Sequence, residues 1–383
     1  MNVYLDNSAT TKPCEAAAAL TQEYLESGWY NPSALYRPAL ETEKRINAVR
    51  DKCLSAAGAA GNRMIFTSGG TESDNLAIFG YMRGRRESGT VLISSIEHPA
   101  VSACADELRR MGHHTEELPV RRDGIIDCEK LETILNSDTA MICVMQVNNE
   151  TGAIQPVREI VELKNRICPE AAVHIDGVQG FLRVPVDFNR IGIQSYAFSA
   201  HKIHGLKGTG GLIVSKDFPL HPVIFGGGQE KGFRSGTENT LGILALGAAV
   251  DAWNSRDTEN IRRLKIRLWQ KLSEQIPGAV VNGPVPDAAE SAPHILNMAF
   301  EPVRSQTMLF ALEGNGILVS AGSACASRKQ KISPVLKAMN IQTVRADCSI
   351  RFSLSRETTE EEIDYTAECV VKQYEALKRF VRR

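Results

Sequence analysis

The 383-residue sequence contains nine cysteines but no CxxC pair. That spacing argues against a disulfide framework or a zinc cluster and suits reduced thiols. Net charge is nearly absent: 44 Lys and Arg stand against 45 Asp and Glu, a formal −1. A chain so balanced lacks the broad basic surface that nucleic acid or an anionic membrane requires. Long apolar runs are missing too. The longest, Leu241 to Val250, falls well short of the ~20 residues a spanning helix needs. The opening Met1-Asn2-Val3-Tyr4-Leu5-Asp6 has neither a basic n-region nor an apolar h-region, so no secretory signal is expected. There is no GxxxxGK[ST], no well-placed GxGxxG, no internal repeat and no low-complexity tract. The expectation is a cytoplasmic protein that binds neither nucleic acid nor membrane.

What is present is a globular composition, 43% apolar, in a chain long enough for two domains. Short apolar runs punctuate the first two-thirds: Met64–Thr67, Val91–Ser94, Met141–Met145, Ala172–Asp176 and Gly211–Val214. Helical stretches separate them. This alternation predicts βα units and a mostly parallel sheet. Ile261, Leu264, Leu268 and Leu272 then mark an amphipathic helix over about Thr258–Gln275, ended by Pro277-Gly278. A smaller α+β segment follows, with strands expected at Ile295–Phe300 and Ser349–Ser353. The predicted organisation is a large domain, 13–255, and a small domain made of 1–12 and 256–383.

Ligands of open α/β sheets sit at the carboxyl ends of the strands, and several polar groups fall there. Ser68-Gly69-Gly70-Thr71-Glu72-Ser73 leaves a strand and opens a helix. It suits an anion cradle, through backbone N–H groups and the helix dipole, or equally an ordinary βα turn with Thr71 and Asp74 as a capping box. Ser199-Ala200-His201-Lys202 places a lysine beside serine, histidine and glycine. Such a lysine can form a Schiff base with an aldehyde cofactor whose phosphate Ser199 and His201 could bind; the alternative is a surface loop. Asp176 could pair with a pyridinium nitrogen or simply cap a turn. Cys325 lies among small residues, Ser320 to Ser327, where a thiolate would be accessible; the other eight cysteines fall mainly in apolar runs. Arg351, inside an expected strand, could hold a substrate carboxylate bidentately or form a structural ion pair. His201 and His204 lack further partners for a metal.

In order along the chain, these motifs resemble the cysteine desulfurases of the NifS/IscS type, within the class V aminotransferases of fold-type I. The likeness runs through Tyr4-Leu5-Asp6-Asn7, Gly70-Thr71-Glu72-Ser73, Glu97-His98, Asn148-Asn149-Glu150 and His174-Ile175-Asp176 with Gln179. It continues in Ser199–Lys202, Gly226-Gly227-Gly228-Gln229-Glu230, Arg234-Ser235-Gly236-Thr237, the Cys325 stretch and Arg351-Phe352-Ser353. The resemblance implies an α/β fold-type I PLP-dependent transferase, with a mostly parallel sheet in the large domain and an α+β small domain. It implies that Lys202 anchors pyridoxal 5'-phosphate (PLP) and moves protons. His98 stacks on the ring and acts as acid or base, Asp176 pairs with the pyridine nitrogen, and Gln179 contacts the phenolic oxygen. Gly70, Thr71, Ser199 and His201 hold the phosphate. Thr237 reaches the phosphate site of a partner subunit, which implies a homodimer. Asn149 and Arg351 orient the substrate carboxylate. Cys325 attacks the sulfur of L-cysteine, giving alanine and a persulfide for a sulfur-acceptor protein. No metal is implied.

Two departures from the family pattern stand out. Gly69-Gly70-Thr71 replaces Gly-Ala-Thr, which is expected to be harmless. The chain stops at Lys378–Arg383 without the longer tail of the iron–sulfur housekeeping members, so a tRNA-thiolation or thiamine-pathway acceptor is as consistent as a scaffold protein. An aminotransferase, a selenocysteine lyase or a non-catalytic sulfur carrier would each differ in its need for Cys325 or Lys202.

Overall fold

A computed structural model of the protein describes residues 1–85, 87–322 and 333–380. Among the described residues twelve strands fall into three sheets. β1 (Val3–Tyr4) pairs with β11 (Ile317–Leu318) in parallel. β9 (Val280–Val281), β10 (Ile295–Ala299) and β12 (Ser349–Ser353) form an antiparallel sheet in the order β12-β10-β9. The remaining seven are β2 (Arg63–Thr67), β3 (Thr90–Ser94), β4 (His114–Leu118), β5 (Thr139–Met145), β6 (Ala172–Asp176), β7 (Ser195–Ser199) and β8 (Gly210–Val214). Their order is β2-β8-β7-β6-β5-β3-β4. β8 runs antiparallel to both its neighbours, and the pairings from β7 to β4 are all parallel. The carboxyl ends of β2, β3, β5, β6 and β7 therefore share one edge of the sheet.

The large sheet is apolar on both faces because helices cover both, as a parallel sheet demands. Side chains alternate between two cores with the period of a strand. Leu92, Ile142 and Val144 enter one core with Ile46 and Val49 of the helix Arg37–Ala56. Val91, Ile93, Met141 and Cys143 enter the other with Leu76 and Ile78 of the helix Gly70–Met82. A third core joins Leu264, Leu268 and Leu272 of the helix Ser255–Gln275 to Phe352 and to Ile363 and Val370 of the helix Glu360–Leu377. Val3 and Leu5 are buried in that same core. Asp6 bridges to Ser353, so the first residues of the chain lie against its last strand.

Helix Ser255–Gln275 starts three residues before the expected point, at a capping box of Asn254 and Asp257. β4 was not foreseen. Its sequence, His-Thr-Glu-Glu-Leu, is polar because it forms the sheet edge and is largely exposed. The capping box expected of Thr71 and Asp74 is absent. The helix begins at Gly70 with Gly69 as its cap, and no side chain caps it. Asp74 turns into the core instead, where its Oδ1 lies 3.1 Å from His174 Nε2. Among the described residues no helix is long and apolar enough to cross a membrane.

Candidate active site

The strand ends converge on a cavity of about 250 Å³. Its lining includes Gly70, Thr71, His98, Asn149, Asp176, Gln179, Ser199, His201, Lys202 and Arg351. Every expected site residue among those described is thus gathered at one place, except Thr237. Thr237 is exposed and lines a separate small cleft with Ser68, Gly208 and Arg234. Cys325 lies outside the described residues.

Lys202 closes the short 3-10 turn Ala200–Lys202 that follows β7. Its Nζ donates to the backbone carbonyls of Ser8, 2.5 Å, and Ala9, 2.8 Å. Neither carbonyl carries a full charge to compensate the ammonium. Burial, together with Arg351 and Arg183, pulls its pKa down to about 7, against smaller opposing effects of Asp6 and Asp176. A substantial fraction is thus a neutral, nucleophilic amine near neutrality.

Asp176, the last residue of β6, accepts a 2.9 Å hydrogen bond from Val178 N. Among the described residues it forms no ion pair. Burial raises its pKa, and His98 and Lys202 pull the other way. A buried carboxylate in a cavity without a cationic partner is a site for a cationic ligand group. His98 caps the helix Pro99–Ser102 through Nδ1, which accepts from Ala100 N at 3.1 Å. Its proton therefore sits on Nε2. Burial lowers its pKa and keeps the ring neutral, although Asp176 opposes this.

At the other end of the cavity Gly69 adopts φ +155° with ψ −175°, a conformation reserved for glycine, and the next residue begins the helix Gly70–Met82. The Ser199 side chain lies alongside this turn. A Cβ on Gly70 would come within 2.4 Å of Val178 Cγ2. Glycine at this position, expected from the sequence to be harmless, thus leaves room for the neighbouring Val178, and a larger residue would require that valine to shift. His201 Nδ1 contacts Thr10 Oγ1 at 3.1 Å, and burial and Lys202 bring its pKa down to about 4.

Gln179 donates to Ser8 O at 2.9 Å and accepts from Arg183 at 3.0 Å. Arg183 also donates to the carbonyl of Lys202. Arg351, with a side chain 2% exposed, donates to Asn149 O at 2.8 Å and to Asp6 Oδ1 at 2.7 Å. Among the described residues its Nε has no hydrogen-bond partner. Of the two sequence readings of Arg351 the structure contains the ion pair, made with Asp6. Asp6, Arg183 and the Ser8 and Ala9 carbonyls were missed as site components. Only the family motif around Asp6 could have flagged any of them, because backbone acceptors leave no sequence trace.

Glu150 follows Asn149 and is fully buried. Its Oε2 accepts from Ser333 Oγ at 2.6 Å and lies 3.6 Å from where a Cβ on Gly322 would stand. Gly322 and Ser333 flank the sequence that contains Cys325. The eight described cysteines are buried or half-buried. Burial pushes Cys53, Cys104 and Cys128 up to about 12, so they are unreactive thiols. Among the described residues no cluster of His, Cys, Asp and Glu could hold a metal.

PLP fits this cavity. A lysine with a lowered pKa, a buried carboxylate without an ion pair among the described residues, and a glycine turn at a helix start all line it, and they suit the aldehyde, ring nitrogen and phosphate of that cofactor. Fold and cavity together define a lysine-centred site for amine chemistry on a fold-type I scaffold. Residues 3–366 match the family model "Aminotransferase class-V". The chain is 34% identical over 380 residues to "Cysteine desulfurase IscS" of Dictyoglomus turgidum, covering 98% of this chain and 95% of that one. A solved "NIFS-like protein" superposes with TM-score 0.90 at 30% identity, covering 97% and 99%. The structure "SspA in complex with cysteine" superposes with TM-score 0.82 at 27% identity, covering 94% and 100%. The chain belongs to the class V aminotransferase family, among the cysteine desulfurases.

Proposed function

We propose that this chain is a PLP-dependent cysteine desulfurase that converts L-cysteine to L-alanine and leaves a persulfide on Cys325. The observation that carries this reading is that Lys202, buried with a pKa near 7, and Asp176, buried without an ion pair among the described residues, line one cavity. The solved relative in complex with cysteine supports the substrate.

PLP, when bound, supplies an electron sink for the α-carbon of the amino acid. The protein's residues do the rest. Asp176 would pair with the ring nitrogen, and Gly70, Thr71, Ser199 and His201 would hold the phosphate. Gln179 would contact the phenolic oxygen. Asn149 and Arg351 would hold the substrate carboxylate. Lys202, as a neutral amine, would take the α-proton and later return a proton to the α-carbon, while His98 Nε2–H would donate the proton that Cβ takes. The Cys325 thiolate attacks the substrate sulfur, the C–S electron pair passes to Cβ, and Cβ takes a proton. One cysteine and one thiol become one alanine and one persulfide, with no external oxidant. Both flanks of the Cys325 sequence meet the Glu150 carboxylate next to Asn149, which supports that thiol as the nucleophile.

The chain divides into a large domain, 13–255, and a small domain of 1–12 and 256–383. It works in the cytoplasm as a homodimer, in which Thr237 serves the partner's phosphate site. The exposed cluster in which Trp29 stacks on Tyr30 at 4.7 Å, with Tyr36 edge-on at 6.0 Å, supports such an interface. The persulfide passes to an acceptor protein for iron–sulfur cluster assembly, tRNA thiolation or another thio-cofactor.

The test is to incubate the purified protein and Cys325→Ala with L-cysteine and quantify alanine. Alanine is expected from the wild type and almost none from the variant. Equal amounts from both would exclude Cys325 as nucleophile, and none from either would exclude the desulfurase reading.

A further inference from the structure

Between Gly226 and Gly236 the chain makes an excursion in which two consecutive non-glycine residues, Glu230 and Lys231, adopt left-handed φ of +49° and +57°. Such a pair persists only where its surroundings enforce it. Two ion pairs do so. The Glu230 carboxylate accepts from Arg50 at 2.7 and 2.9 Å and from the backbone N–H of Phe66 at 3.1 Å. Arg50 in turn lies over the Phe66 ring, 4.6 Å from its centroid. Four residues on, Arg234 Nε donates to Glu72 Oε1 at 2.7 Å, and Glu72 Oε2 accepts from Ser68 N at 2.8 Å. The Glu230 and Glu72 side chains are 4% and 16% exposed, so both pairs are largely withdrawn from water.

The two staples converge on one short stretch of backbone. The N–H groups of Phe66 and Ser68 flank Thr67 at the end of β2, immediately before the glycine turn that borders the cavity. Each is held by a carboxylate, and each carboxylate is held by an arginine. One arm of each pair belongs to the strained loop. The loop and the turn are therefore locked as one unit: moving the turn breaks the pairs, and releasing the loop leaves buried charges unpaired.

We infer that Glu230 and Arg234 are positioning residues for the phosphate turn, coupling the order of the 226–236 loop to cofactor retention at Ser68–Thr71. This rests on the reading that the cavity holds PLP. Coupling of this kind is reciprocal: if the loop secures the cofactor, the cofactor must order the loop.

The test uses the purified holoenzyme, with Glu230→Gln and Arg234→Gln as separate variants. The rate of PLP loss on dialysis is followed by the cofactor's visible absorption. Trypsin cleavage after the exposed Lys231 is followed by mass spectrometry, with and without PLP. Coupling free energies typically span about 5- to 150-fold. Each variant is expected to lose PLP about tenfold faster with its far-UV circular dichroism unchanged, and wild-type cleavage at Lys231 is expected to accelerate by a similar factor once PLP is removed. A wild type that is cleaved at the same rate with and without PLP, or variants that retain PLP as the wild type does, would overturn the inference alone. A wild type that binds no PLP would overturn the reading of the cavity and this inference with it. Should a variant fail to fold, the wild-type cleavage comparison still decides.

Discussion

The reactivity of Lys202 comes from what surrounds it. Two uncharged carbonyls solvate its Nζ while burial and two arginines disfavour its charge, and the pKa falls to about 7. A base with a lowered pKa is mostly neutral above that value. The rate at which cofactor-free protein captures PLP, trapped by borohydride, is therefore expected to rise about tenfold per pH unit below 7 and to level off above it. A rise continuing toward 10 would contradict the assignment. Gly70 carries a second expectation at the same scale. Gly70→Ala drives a methyl into Val178, so it should cost about 1–3 kcal/mol in urea unfolding and weaken PLP retention. Adding Val178→Ala should restore most of both. That Lys202, Asp176 and His98 would share a site was expected from the family resemblance, and the three do line one cavity. Their tuning was not legible. It depends on groups such as the Ser8 carbonyl, distant along the chain and chemically anonymous.

Elements were legible where their period was unambiguous. β5 and β6 are short apolar runs buried throughout, and the helix Ser255–Gln275 shows its stripe of Ile261, Leu264, Leu268 and Leu272. β4 was not legible because an edge strand has little to bury. The same helix hides a charge that periodicity does not explain. Lys265 is fully buried, and its Nζ donates to Ser291 Oγ and Ala292 O, both at 2.8 Å. Burial and Arg262 lower its pKa to about 7. Between about pH 10.5 and 7 the unfolded chain binds a proton here that the folded chain does not. The wild type therefore loses stability as pH falls through that window, and the contribution is constant below 7. Urea midpoints of Lys265→Met, which cannot titrate, should shift in the variant's favour by about 1.4 kcal/mol per pH unit from pH 10 to 7. A difference independent of pH would show that Lys265 titrates in the folded chain as it does in the unfolded one.

At the scale of the molecule, a mostly parallel sheet was legible in the alternation of apolar runs and helical stretches, whereas its strand order was not, because order depends on pairings between residues far apart in the chain. Assembly was not legible either, because it depends on surface. Leu35 is 93% exposed and Trp29, stacked on Tyr30 with Tyr36 edge-on to that ring, is 62% exposed. Sedimentation equilibrium should give twice the chain mass of 41.9 kDa, and Trp29→Asp with Leu35→Asp should shift the population toward monomer. A wild type that sediments at the chain mass would remove the homodimer from the proposal.

The contacts that tune Lys202 also set a schedule. The carbonyls of Ser8 and Ala9 are synthesised almost two hundred residues before the lysine, and Asp6 emerges 345 residues before its partner Arg351. A ribosome therefore delivers the first strand long before β11 and β12 exist to receive it, and contacts of such sequence separation form late. Until the last hundred residues have left the exit tunnel, Val3, Tyr4 and Asp6 lack the strands they lie against. Arg351, one of the two arginines that lower the Lys202 pKa, arrives with those strands, so the tuning of the amine is complete only when the protein around it nearly is.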